Sequence, residues 1–547
     1  MSTRTLPPEG GRTRTGAVLA AVCLAGVLLP VSLTGASVAL PGIGTDLGGG
    51  LAAVQWVVNG YDLTFAGLML AAGSLADLFG RKRMFGGGLA VFVLCSLLGA
   101  FAPNVLVLDV LRALAGVGAA GVLTAGSAIL AQTFDGAARA RAFAALGTAF
   151  GVGIAFGPVL SGLEIGSIGW RGMFLSHALV GGFVLAVLLR HVKESRSPEG
   201  GRVDWAGTFT FTGSLFLFIL ALIQGPQWGW GNPLVIAALV GCVAGLAAFA
   251  VVEKRQERPM FDVTLFTEPR FVAISLVPVV LAFGFTAVLM FLPSYFMSVD
   301  ASSASDAGLV LMFLTVPTLV LPMVGGSLTQ QLSNRLVLSA SLLVTAVGAA
   351  WLTVIGPGSS VLALAGPLIT VGVGFGIPLG ILDGAAVSTV EPGRAGMAAG
   401  MFNTMRLAGE VVAIAAMGSL LVSLTRSRLA DGIARFTGDY SGDAGSLTDD
   451  LVQGNLGATA DSVPAGRRDA FTAFAADGYT TALHSSLWLL AAICAVGAVG
   501  IALLLKDRPA ATRSLPVPDG TAEGTGTTEG TGTTEGPVAA QARPIAA

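Results

Sequence analysis

Gly73-Ser74-Leu75-Ala76-Asp77-Leu78-Phe79-Gly80-Arg81-Lys82-Arg83 is a charged, glycine-bearing turn between two apolar stretches, 53–76 and 84–101. Those stretches are long enough, and empty enough of charge, to read as membrane helices. The turn is therefore a tight connection at a membrane surface. Gly73 and Gly80 permit close helix contact and a sharp reversal there.

The composition agrees. Of 547 residues, 54% are hydrophobic and only 11% are charged. Mean hydropathy is +0.79. A soluble domain carries about 25% charged residues, so the bilayer must serve as solvent and the fold class is all-α integral membrane. The net charge of −2 gives no electrostatic footprint for nucleic acid. The 76 glycines are about twice the usual share, and in lipid they let helices approach closely, as in Gly147-x-x-x-Gly151 and Gly153-x-x-x-Gly157. Cys23, Cys95, Cys242 and Cys494 fall on four different apolar stretches without ligand spacing. They read as small core residues rather than disulfides or metal ligands.

Apolar segments fall at about 16–40, 53–76, 84–101, 105–132, 142–163, 172–190, 204–223, 232–252, 270–297, 306–326, 335–355, 359–384, 397–424 and 484–505, about fourteen spans. Arg12, Arg81 to Arg83, Arg139, Arg141, Lys193, Arg196, Lys254, Arg335, Arg394 and Lys506 sort to one side; across the short loops of the other side only Arg171 appears. By the positive-inside rule the basic side is cytoplasmic, with both termini inside. The long outer connection, 426–483, reads as a mobile external cap, with 466–482 lying along the membrane surface. The tail 508–547 ends in Gly-Thr-Glu repeats and has nothing to bury, so it is expected to be disordered.

An internal echo divides the chain. Gly326-Ser327-Leu328 before Arg335 repeats the spacing of Gly73-Ser74-Leu75 before Arg81, one residue longer and without the Asp. Repeated bundles are common in transporters. The expected organisation is a segment 1–15, a six-helix bundle 16–190, a linker 191–203, an inserted hairpin 204–252, a second six-helix bundle 270–505 and the tail.

The turn at Gly73–Arg83 resembles the signature loop of the major facilitator superfamily, Gly-x-Leu-Ala-Asp-x-x-Gly-Arg-Lys/Arg. The layout resembles its fourteen-span drug:proton antiporters. The resemblance implies the major facilitator fold: two six-helix bundles that rock about a central site, plus an inserted two-helix hairpin. It also implies that Gly73, Asp77, Gly80 and Arg81 form a latch between bundles. Arg112-Ala113-Leu114-Ala115-Gly116-Val117-Gly118 is similar to the family's Arg-x-x-x-Gly-x-Gly pattern, whose Arg is tied to proton transfer. A membrane-buried Arg needs an acid or a wet cavity, and Asp109 is one turn away. Gly153, Gly157, Pro158 and Gly162 resemble the antiporter motif associated with exporters; the proline bends the helix and the glycines make a flat face for the opposing bundle. Trp170-Arg171 also fits the outer loop of these exporters. The first span departs from the family pattern: Ser32 stands for its Asp and Ser37 for its Asn, so the usual coupling acid is missing.

Three intramembrane carboxylates offer a replacement: Asp62, Asp383 and Glu410. Asn59 and Asp62 share a helix face by their spacing of three. Glu410 lies deep in the thirteenth span, one turn from Arg406. Burial and a nearby guanidinium pull a carboxyl's proton affinity in opposite directions. Glu410 is thus the expected main proton-coupling acid, with Asp62 near Arg112 as a second site; a fixed Arg406–Glu410 ion pair is the alternative. Ser32, Ser37, Asn59, Asp383 and Asn403 are substrate-cavity candidates.

No nucleotide-binding loop is present among the four lysines, and His177, His191 and His484 lie scattered near loops. No cofactor, metal, ATP or enzymatic activity is expected. The expected function is proton-coupled export of hydrophobic or amphipathic small molecules, such as antibiotics, from the plasma membrane by a monomer. A neutral or anionic substrate is at least as compatible as a multiply cationic one. A proton symporter importing a metabolite and a non-transporting sensor or scaffold are the competing readings.

Overall fold

The computed structural model describes residues 9–134, 136–195, 204–256, 263–329, 331–389 and 395–505. Among them the chain is helical almost throughout. The helices run α1 (Glu9–Leu47), α2 (Leu51–Phe79), α3 (Arg81–Gly99), α4 (Val105–Thr133) and α5 (Gly136–His191). Next come α6 (Trp205–Trp228) and α7 (Pro233–Arg255), then α8 (Pro269–Gly284), α9 (Thr286–Val299), α10 (Ala304–Thr315), α11 (Pro317–Leu328), α12 (Asn334–Trp351), α13 (Val361–Leu379) and α14 (Leu382–Val387). The chain ends in α15 (Ala395–Ala430), α16 (Ala444–Val452), α17 (Leu456–Asp461) and α18 (Ala465–Leu504).

Local chemistry sets these boundaries. Asn104, Asp204, Asn232, Ser303, Ser333 and Ser360 each cap a helix start, their side-chain oxygens accepting a backbone N–H. Gly80 and Gly229 end helices at φ +109° and +89°, where a side chain is disfavoured. Gly169, at φ +73°, breaks α5 into two arms.

Twelve helical segments among the described residues are long and apolar enough to cross a membrane. The helix α2, 29 residues long, carries the expected 53–76 span, and the first arm of α5 holds a shorter apolar helix, Ala145–Ile154. One apolar core gathers Phe85, Leu89, Phe92, Ala119 and Val184 from α3, α4 and α5. Another gathers Ile274, Leu281, Leu342, Phe402 and Leu490 from α8, α12, α15 and α18. There Phe285 and Phe375 stack 3.9 Å apart. The helix α6 packs on α2, where Thr212 donates to the Gly67 carbonyl at 3.0 Å.

The two sets of helices meet at the face opposite the Arg81–Arg83 turn. Ser305 donates to the Gly162 carbonyl at 3.0 Å, and Thr45 to Asn455 at 3.3 Å. The 426–483 connection corrects its sequence reading. It is built from α16 and α17, and Leu447, Leu451, Leu456 and Ala460 are buried. The stretch 466–482 is no surface helix; it continues into the last span as one 40-residue helix. Its Phe471, Ala475 and Tyr479 join the core, so packing rather than the interface holds it. Segment 449–455 is pinned from three sides. Ser298 donates to the Leu451 carbonyl at 2.6 Å, Gln227 to Asp449 at 3.1 Å, and Asn455 accepts from Thr45.

Candidate functional site

Arg112 sits two turns into α4 and is 2% exposed. Its Nε donates to the Val57 carbonyl at 2.9 Å and a terminal nitrogen donates to Ser32 Oγ at 2.9 Å. Its guanidinium lies 4.2 Å over the centre of the Tyr61 ring. A buried guanidinium is costly unless its donors are met, and here neutral oxygens and a π face meet them. Asp109 is not the partner that spacing offered: one of its carboxylate oxygens is buried and unpartnered. One turn of α4 separates the two residues, and Arg112 extends instead toward α1 and α2.

The second group lies where α2 meets α15. Their register is antiparallel. A Cβ on Gly418 would stand 3.4 Å from Gln55 Nε2. Val58 and Asn59 share a cavity of about 20 Å³ with Ile414 and Ala415. One turn further along each helix come Asp62 and Glu410, and the charge of Glu410 acts on Asp62. Asp62 is buried, and its Oδ2 accepts no hydrogen bond. Arg406 acts on Glu410 electrostatically, but no direct ion pair joins them, so a fixed Arg406–Glu410 clamp is not what the structure holds. Both are half-buried, as is Asn403 two turns before Glu410.

The signature turn is tied to its own bundle. Arg81 donates to the Ala128 carbonyl at 3.4 Å and to Gln132 at 3.3 Å. Glu194 accepts from the backbone N–H groups of Lys82 and Arg83 at 3.1 and 3.2 Å, an anion placed at the start of α3. A side chain at Gly80 would strike that carboxylate. Gly73 differs from its reading: a Cβ there would meet open space, so no close helix contact depends on it. The side chains of Asp77 and Asp383 lie outside the described residues.

The glycine motif on α5 also differs in part. Gly153 and Gly157 face α1 of the same core, with Val27 O 2.6 Å from a Cβ at 153 and Thr34 against 157. Only the later residues reach across to α10: a Cβ on Gly162 would stand 2.6 Å from the Ala304 carbonyl, and Pro158 O lies 2.7 Å from one on Gly308. The helical repeat turns successive glycines of one motif toward different neighbours. Trp170 donates to Asp46 at 3.0 Å, and Arg171 pairs with Asp46 while stacking on Trp170. Ser37 is buried and donates to the Thr34 carbonyl at 2.7 Å.

The profile of the Major Facilitator Superfamily matches residues 22–414. The chain belongs to the major facilitator superfamily. Relatives of this superfamily member include the multidrug resistance protein Stp of Mycobacterium tuberculosis, 31% identical over 74% of this chain and 75% of the relative. The cephamycin export protein CmcT of Amycolatopsis lactamdurans is 34% identical over 79% of this chain and 89% of the relative. A probable actinorhodin transporter of Streptomyces coelicolor is 30% identical over 76% of this chain and 74% of its own. The fold matches a bacterial homologue of the human lysosomal transporter Spinster in an inward-facing, occupied conformation, with a TM-score of 0.62 and 16% identity over 89% of this chain and 96% of that one.

Sequence reasoning missed His177 and Glu194 in this superfamily chain. His177 was read as lying near a loop, yet it is 2% exposed, inside the bundle, with both ring nitrogens unpartnered. It follows Arg171 by two helical turns, which carries it below the surface. Glu194 had no local signal, because its partners lie 111 and 112 residues away.

Proposed function

We propose that this superfamily member is a proton-coupled exporter of lipophilic small molecules, working by alternating access as a monomer in the plasma membrane. The carrying observation is the register of α2 on α15, with an unpartnered buried carboxylate on one helix and an acid of the other beside it. A proton taken up there relieves the repulsion between Asp62 and Glu410, and its release restores it. That ties protonation to the contact between the two sets of helices. Arg112, held by neutral groups, keeps a fixed positive charge nearby. Relatives named for multidrug resistance and cephamycin export support the outward direction.

In this reading the chain crosses fourteen times. α2 and the first arm of α5 add two spans to the twelve, and α6 with α7 is the inserted hairpin at 204–252. The bundles are 16–190 and 270–505. Both termini and the Arg81–Arg83 turn face the cytoplasm, in accord with the positive-inside rule. The joined face is then the outer one, and the conformation is inward-facing. Arg81 and Gly80 belong to a latch that engages when the inner face closes.

The test is Glu410→Gln in inside-out vesicles with a pH-sensitive dye and a panel of lipophilic antibiotics. Drug-induced proton movement should vanish while drug binding survives. Full proton-linked transport by the variant refutes the assignment.

A further inference from the structure

A cleft of about 390 Å³ lies away from the α2–α15 seam, on the face where the two sets of helices meet. Two turns form its rim: 300–303, between α9 and α10, and 355–360, before α13. The first turn closes α9. The backbone N–H groups of Asp300 and Ser302 both donate to the Phe296 carbonyl at 3.1 Å, which places Ala301 at φ +49°. Ala301 is the one non-glycine residue at positive φ among the described residues, a conformation unfavourable by about 1–2 kcal/mol for a side chain. Gly358, at φ +71°, donates its N–H to Asp300 Oδ1 at 2.8 Å and so ties the two turns together. Ser359 Oγ accepts from the Gly356 N–H at 2.8 Å, which leaves its hydroxyl proton to donate.

The cleft carries charge of one sign. Asp300 is half-buried and gives one oxygen to Gly358; its Oδ2 makes no hydrogen bond among the described residues. No basic side chain lines the cleft, and Asp300 joins none of the ion pairs among the described residues. Beside the carboxylate stand the hydroxyls of Ser302 and Ser359, and the floor is apolar, made by Phe296, Val310 and Leu364. Leu309 and Leu362, next to lining residues in the chain, are exposed, so the apolar floor runs on toward the lipid-facing surface. The volume falls in the range of sites for small organic ligands. We propose that this cleft is a binding site, separate from the transport route, for an amphiphile with an ammonium head. The ammonium pairs with Asp300 Oδ2 in a charge-assisted bond, and the apolar body lies on Phe296, Val310 and Leu364. The head group of an aminophospholipid and a free lipophilic amine share this chemistry. Every lining residue lies between 296 and 364, within one set of helices. The cleft therefore needs no contact across the seam and does not rest on the exporter reading.

The probe is 4-fluorophenethylamine, added to the full chain in phosphatidylcholine nanodiscs and followed by fluorine NMR against protein-free discs. A nitroxide at Leu362, in a chain whose four cysteines are replaced by alanine, should broaden the line of the bound amine, which locates it at the cleft. Asp300→Asn keeps an oxygen for Gly358 and removes the charge. It should weaken binding by about tenfold or more, the worth of one charge-assisted hydrogen bond. Val310→Trp fills the floor and should abolish binding, with size-exclusion profiles as the folding check for both variants. The matching alcohol should bind about tenfold more weakly than the amine, and the matching carboxylate more weakly still. Phosphatidylethanolamine added to the discs assigns the source. Displacement of the amine makes the aminophospholipid head the occupant; undiminished binding makes it a free amine. The cleft is refuted if the amine does not bind, if it binds without the nitroxide effect, or if Asp300→Asn binds it as tightly as the unaltered chain. Each of those results leaves the exporter reading standing.

Discussion

Gly162→Ala tests whether the joined face sets the conformational balance. A Cβ at this position would stand 2.6 Å from the Ala304 carbonyl oxygen and 3.2 Å from Ala304 C and Ser305 Cα. These are backbone atoms of α10, so no rotamer change relieves the clash. Overpacking of this kind is unfavourable by about 1–3 kcal/mol. Gly162 and α10 touch only while this face is joined. The penalty therefore falls on one conformation, and the closed-to-open ratio should drop by about five- to 150-fold. Spin labels at Leu47 and Leu362, at the ends of α1 and α13 on this face, report the change by electron–electron resonance as growth of a long-distance population. Gly157→Ala is the control. Its new methyl would meet Thr34 and lie 3.3 Å from Val31 Cα, both on α1 of the same core. It should lower the melting temperature without moving the distance distribution. The reasoning fails if Gly162→Ala lowers the melting temperature as Gly157→Ala does and leaves the distances unchanged.

Arg112→Lys should abolish proton-linked transport while the protein still folds, because a compact ammonium does not reproduce the planar fork that serves Val57 O and Ser32 Oγ and stacks on Tyr61; vesicle transport with size-exclusion profiles as the folding check would test it. Glu194→Ala removes the carboxylate at the start of α3, a loss of about 1 kcal/mol, and should raise trypsin cleavage after Lys193 about fivefold. Asp449 outside the membrane gives a pH effect. Burial raises its carboxyl above the ordinary value of 3.8, and Asp450 shifts the same way for the same cause. The native cap therefore holds more protons than the unfolded chain between that ordinary value and the raised one. Its stability should rise as pH falls through the raised value and decline as pH returns to neutral. The protection factors for hydrogen exchange across 444–461, taken relative to the intrinsic rate at each pH, should rise on going from pH 7.5 to about pH 5, and Asp449→Asn should flatten most of that response.

The membrane helices were legible because lipid imposes a local rule, a sufficient length of apolar residues with capped or glycine-broken ends. Gly80 was legible for the same reason, since a reversal between two such helices needs a positive φ. Gly73, in the same motif, was not, because a helical glycine matters only if another chain comes near it. The fourteen expected spans were read by length, which cannot tell a surface helix from the first half of a buried one; at 466–482 the deciding contacts are those of Phe471 and Tyr479 with distant helices. Arg112 was legible as a charge in need of a partner. That its partners are Ser32 and Val57 rather than Asp109 depends on how α1 and α2 lie against α4.

The sequence by itself determined that this chain lives in a membrane and which few polar residues must find company there. Those are properties of apolar length and of single charges, and each stands in one local window. The tertiary structure decided which of the polar residues meet: Asn59 and Asp62 against the face of α15 that carries Glu410, Glu194 on the start of α3, His177 inside the bundle, and Gly162 against α10. These pairings join residues up to several hundred positions apart. Their energies depend on helix register and rotation, which no local pattern encodes.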